Sequence, residues 1–140
     1  MVVKFATLVL VGSIIASWRL PGDGMVRVAE STEIGKQSQC DNDLAVGRYY
    51  VGKRDYTAAI GRLKIVVQKC PTSSDTPEVL ARLAEAYLVV GIASQAQTAD
   101  AVLERKFPGI QITVEARNAL GSAGLIPVED EKSWIALAFQ

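Results

Sequence analysis

From residue 43 onwards the apolar positions recur at helical spacing. Leu44, Val46, Gly47, Tyr50 and Val51 fall on one face of a helix over Asp43–Val51. Arg54 and Asp55 interrupt the pattern, with Asp55 placed to cap a second helix from Tyr56 to Lys69. Ala59, Ile60, Leu63, Val66 and Val67 form the apolar face of that helix. Cys70-Pro71 ends it, because proline cannot continue a helix and restricts the residue before it. Thr76-Pro77-Glu78 then opens a third helix: a capping hydroxyl, proline in the first turn and a carboxylate at the positive end of the helix dipole. Leu80, Leu83, Ala84, Tyr87 and Leu88 make its buried face, and Gly91 suits a left-handed termination. A fourth helix over Ala93–Lys106 offers Ala96, Ala99, Val102 and Leu103, and Phe107-Pro108 stops it.

The order helix, tight break, helix, proline occurs twice, which predicts a structural repeat. Pro71 and Pro108, Tyr50 and Tyr87, Gly47 and Ala84, and Ala59 and Ala96 are each 37 positions apart. Small residues let paired helices approach closely, a tyrosine fills the space between them, and the proline turns the chain into the next unit. Gly121 falls 37 residues after Ala84, but Gly124 stands where Tyr87 stood. Val114–Leu120 therefore reads as the first helix of an incomplete third unit.

Upstream the pattern is different. Residues 21–42 carry Gly22, Gly24, Gly35 and the polar cluster Lys36-Gln37-Ser38-Gln39 without sustained periodicity, and read as a linker. Residues 1–20 contain Lys4 followed by an uncharged run from Phe5 to Trp18, of signal-peptide length and short of a bilayer span. They are expected to act as an export signal, or as a retained membrane-associated segment, ahead of a repeat domain at 43–140.

Composition removes several functions. Lysine plus arginine and aspartate plus glutamate both number 15, so no basic excess exists to hold nucleic acid. Histidine is absent, which takes away the usual general base and zinc ligand, and no phosphate-binding glycine motif occurs. A catalytic role, a cofactor and a bound metal are not expected. Cys40 and Cys70, 30 positions apart, read by themselves as two small unpaired residues. In an oxidising compartment they could pair, and in the cytosol they would stay thiols.

The spacing of Gly47, Tyr50, Tyr56, Ala59 and Pro71, and of Ala84, Tyr87, Gly91, Ala96 and Pro108, resembles the tetratricopeptide repeat of about 34 residues. Asp43 replaces that pattern's early aromatic, and Asp100 replaces a large apolar residue, so Asp100 should face solvent or disturb its helix. The stretch from Leu44 to Gln140, ending SAGLIPVEDEKSWIALAFQ, resembles the C-terminal repeats and tail of the BamD family of outer-membrane β-barrel assembly lipoproteins. The resemblance implies a protein-binding scaffold in the periplasm, associated with the outer membrane, that docks a component of the assembly machine. The family's N-terminal repeats and lipidated cysteine have no counterpart here, which implies the docking half without the substrate-handling half. A generic tetratricopeptide adaptor with other envelope partners, or a shortened copy keeping part of the function, are the alternatives.

The candidate docking residues come from two places. Arg48, Glu78, Arg82 and Glu85 lie on first helices, outside the apolar face, and would line a charged groove or merely a solvated one. Glu129-Asp130-Glu131 reads as the N-terminus of a last helix bearing Trp134, Ile135, Ala138 and Phe139. That helix either caps the repeat stack or offers Trp134 and Phe139 to a partner. The expected fold is all-α: two tetratricopeptide-like hairpins, a partial third and a C-terminal capping helix.

Overall fold

The computed structural model describes residues 23–140, and every regular element among them is a helix. In chain order they are α1 (Asp23–Gly52), α2 (Tyr56–Lys69), α3 (Thr76–Val89), α4 (Ala93–Lys106), α5 (Gln111–Ser122) and α6 (Trp134–Ala138). The expected export segment lies outside the described residues. The chain divides into one unit ending at Glu33 and a second from Ile34 to Gln140, and the packing below belongs to the second.

The expected linker over residues 21–42 is helical from Asp23, as part of α1. Residues 32–39 are exposed on every side, so no apolar stripe marks them. Good helix formers such as Lys36 and Gln37 carry the segment instead, and Gln37 bonds Asp41 one turn on at 2.8 Å.

The remaining helices start and stop for local reasons. The Asp55 carboxylate accepts the Ala58 N–H at 3.1 Å, which caps α2. Thr76 does not cap α3 as expected. Its hydroxyl donates to the Pro71 carbonyl at 3.1 Å and ties the inter-unit loop. Thr113, 37 positions on, repeats the device on the Phe107 carbonyl at 2.8 Å. Arg54 (φ 61°) and Gly91 (φ 81°) both turn the chain through the left-handed region inside a hairpin. The next N–H then closes each turn, Asp55 onto the Tyr50 carbonyl and Ile92 onto the Tyr87 carbonyl. The two hairpins share one backbone design.

The core is aliphatic. Leu63, Leu80, Leu83, Leu103, Leu120 and Ile135 are fully buried within one cluster. A Cβ on Gly47 would approach Leu63 Cδ2 to 2.8 Å, so the glycine is what admits the leucine between α1 and α2. Tyr87 is buried, and Tyr50 packs half-buried against the cluster. First helices stack on their neighbours: α3 lies against α2, α4 and α5.

Cys40 and Cys70 are joined by a disulfide, where unpaired residues were the plainer expectation. Their Cα atoms lie 6.5 Å apart, within bridging distance. The bond fastens α1 to the loop that leaves α2, and both residues are buried.

Asp100 does not face solvent. It is fully buried on α4, and neither carboxylate oxygen has a hydrogen-bond partner among the described residues. Burial raises its pKa, and the nearby Arg117 only partly opposes this. A raised folded-state pKa means that stability is greatest below the unfolded value of 3.8 and falls as pH rises towards the folded value. Asp100→Asn removes the charge, and is expected to stabilise the chain by about 1 kcal/mol at neutral pH. The gain should vanish below the unfolded value. Thermal melts of both proteins across pH 3 to 8 (a range of about that width spans the titration) check it, and an unchanged difference throughout would contradict it.

Candidate protein-docking face

The first helices of the units, α1, α3 and α5, present one face. On it the structure brings together the four charged residues expected to act as a set. Arg48 on α1 reaches Glu78 on α3 through two bonds, Nε to Oε1 at 2.8 Å and Nη2 to Oε2 at 2.5 Å. Arg82 donates to Glu78 at 3.3 Å and lies 3.8 Å from Glu85, while Asp75 lies 4.0 Å from Arg48. Arg48 hydrogen-bonded to Glu78 holds that carboxyl below its ordinary range, against an opposing push from burial. The same bond raises the Arg48 pKa. The Glu78 contribution is therefore complete above the ordinary value of 4.5 and lost as pH falls through the lowered one.

Beside this network, α3 and α5 enclose a slot of about 200 Å³. Its floor is Ala81, Ala84, Ala116 and Ala119 with Leu88 and Ile112, and its rim carries Arg82, Glu85 and Glu115. Four alanines among its lining residues leave the slot open. The alanines of α5 and Glu115 were not among the expected residues. Their signal was the i, i+3 spacing of Ala116 and Ala119 on a helix otherwise too polar to read as packed.

Trp134 and Phe139 are not part of this face. α6 packs on α4 and α2, the second helices of the two hairpins, and so caps their flank. Ser133 is its N-cap and accepts the Ile135 N–H at 3.3 Å, which leaves the acidic run ahead of the helix instead of in its first turn. Glu129 instead makes a two-bond pair with Arg105 of α4, at 3.0 and 2.8 Å. Gln97 donates to the Ile126 carbonyl and Ser133 to Gln95, so polar bonds hold the tail along α4. Phe139 is 7% exposed and belongs to the core, so its ring is taken up by packing. Trp134 is half-buried, with the Lys64 ammonium 4.9 Å from its ring centroid. Burial raises the pKa of the Tyr87 hydroxyl, and the neighbouring Trp134 side chain partly opposes this.

Among the described residues there is no group of three His, Cys, Asp or Glu side chains that could hold a metal. No described helix is long and apolar enough to cross a membrane.

Helical hairpins repeating every 37 residues, with a small-residue floor and a charged inner face, define a tetratricopeptide-like repeat protein. Residues 34–103 match the family described as YfiO, outer membrane lipoprotein, and the chain belongs to that family. Among curated relatives, the outer membrane protein assembly factor BamD of Caulobacter vibrioides is 44% identical over 85 residues, covering 61% of this chain and 28% of the relative. The protein of the same name from Rickettsia prowazekii is 32% identical over 66 residues, covering 47% of this chain and 26% of the relative. The chain thus matches about a quarter of the length of these relatives. No solved structure matches it.

Proposed function

We propose that this chain is a protein-binding scaffold in outer-membrane assembly, docking a component of the β-barrel assembly machine through the face formed by α1, α3 and α5. The carrying observation is the linked set Arg48, Glu78, Arg82 and Glu85 beside an alanine-floored slot. Charged pairs on an exposed face contribute little to stability, whereas convergent charge beside an apolar slot suits recognition of a partner segment. The relatives named as outer membrane protein assembly factors supply the partner class. The reading assigns no catalysis to the chain. Trp134 and Phe139 serve docking indirectly, by holding the tail on α2 and α4 so that the hairpins keep their register.

The same reading places the chain in the periplasm, against the outer membrane. The Cys40–Cys70 disulfide supports an oxidising compartment, since such bonds persist outside the reducing cytosol.

A photo-crosslinking amino acid at Glu85, in cells that carry the chain, tests the partner. The expected product joins the chain to a component of the β-barrel assembly machine, identified by mass spectrometry. Products confined to unrelated envelope proteins would favour a general adaptor and overturn the proposal.

A further inference from the structure

We infer that the slot between α3 and α5 receives a single arginine side chain of the partner protein. The inference rests on the reading that this face binds protein, and adds the chemistry of what enters.

Three features of the slot select the occupant. Its floor is alanine methyl groups with Leu88 and Ile112, which suits an aliphatic stem and offers it no polar partner. Its two walls end in carboxylates from different helices, Glu85 on α3 and Glu115 on α5. The local charge is also unbalanced. Arg48 and Arg82 pair with Asp75, Glu78 and Glu85, both bonding Glu78 more closely than any other carboxylate, and Glu115 adds a fourth carboxylate to the slot's rim. Among the described residues, Glu115 has only the neutral Gln111 amide, at 2.9 Å, and Glu85 has only the far edge of Arg82, at 3.8 Å. Both carboxylates are exposed, so each keeps acceptor positions for an incoming group.

A long side chain with an apolar stem and a cationic head fits this arrangement. Arginine fits better than lysine, because one head must serve acceptors on two walls. A planar guanidinium carries five donors in a fixed fork and sheds water more readily than a compact ammonium.

The test uses the whole chain and the blocked pentapeptide Ala-Ala-Arg-Ala-Ala, followed through alanine and isoleucine methyl resonances by NMR. A control peptide carries citrulline, which keeps the shape and lacks the charge. Saturable shifts at the slot methyls with arginine, absent with citrulline, are expected. Glu85→Gln with Glu115→Gln, both exposed and so compatible with the fold, should weaken binding about tenfold or more, the scale of lost charge-assisted hydrogen bonds. Equal shifts from citrulline, or full binding by the double variant with unchanged helical circular dichroism, would overturn the inference. Titration with a partner domain gives a separate readout. A chain that binds the domain but ignores the arginine peptide overturns the slot occupant alone, and one that binds the peptide but no domain overturns the docking proposal alone.

Discussion

Reduction of the Cys40–Cys70 bond should lower the stability of the repeat domain by about 3–4 kcal/mol, the chain-entropy value for a loop of this size. The bond closes a loop of 30 residues that contains the end of α1 and all of α2. It therefore joins the outermost hairpin's two helices at the end away from their connecting turn. Without it, α1 is held there by Leu44 and by the ion pair of Asp43 with Arg62 at 3.2 Å. For a domain of this size each kcal/mol moves the melting temperature by roughly 4–8 °C. Melting with and without reductant, compared with a Cys40→Ala, Cys70→Ala variant, should show a fall of more than about 10 °C in both cases. Because the cysteines are buried, reductant should act slowly on the native protein and faster near the melt. A melt indifferent to reductant, in protein shown by mass to be oxidised, would remove the staple from the account.

The second large effect is expected at the tail. Trp134→Ala should cost about 2–3 kcal/mol, less than a fully buried tryptophan because part of the ring is exposed. The substitution strips Lys64 of its aromatic face and loosens the helix that carries Ile135 and Phe139 into the core. The loss should appear in the isolated chain, with no partner present, as a lower melting temperature by circular dichroism. Partner affinity measured well below that temperature should change little. Intact melting together with a loss of affinity above about 2 kcal/mol would instead make Trp134 an interface anchor.

Much of this architecture was legible in the residues, for reasons that differ by element. Helices α2 to α4 bury a stripe against neighbours, so their periodicity, Asp55 and the prolines fixed both their existence and their ends. The first part of α1 was not legible, since residues 32–39 contact little and leave no apolar stripe to detect. The disulfide could not be read because pairing depends on the distance between two Cα atoms that only the packing of α1 on the α2–α3 loop sets. For Asp100 the two expectations, exposure or disturbed packing, gave way to burial inside an unbroken helix. The tail's helix was foreseen, but its seat on α2 and α4 depends on bonds such as Arg105 to Glu129, which span 24 positions and have no local signal. On the docking face, Arg48 and Glu78 were recognisable as unclaimed charges, while the slot itself appears only when α5 is laid against α3.

The central claim is that the face formed by α1, α3 and α5 docks a folded partner of the outer-membrane assembly machinery. Calorimetric titration of the oxidised chain with the purified periplasmic domain of the machine's barrel component tests it most directly. The account predicts saturable one-to-one binding at a dissociation constant near 1 μM or tighter, about −8 kcal/mol, weakened by at least tenfold (about 1.4 kcal/mol) in a Glu85→Arg, Glu115→Arg variant that melts like the parent. Absence of binding by the folded, oxidised chain, or binding that the charge-reversed variant retains in full, would contradict it.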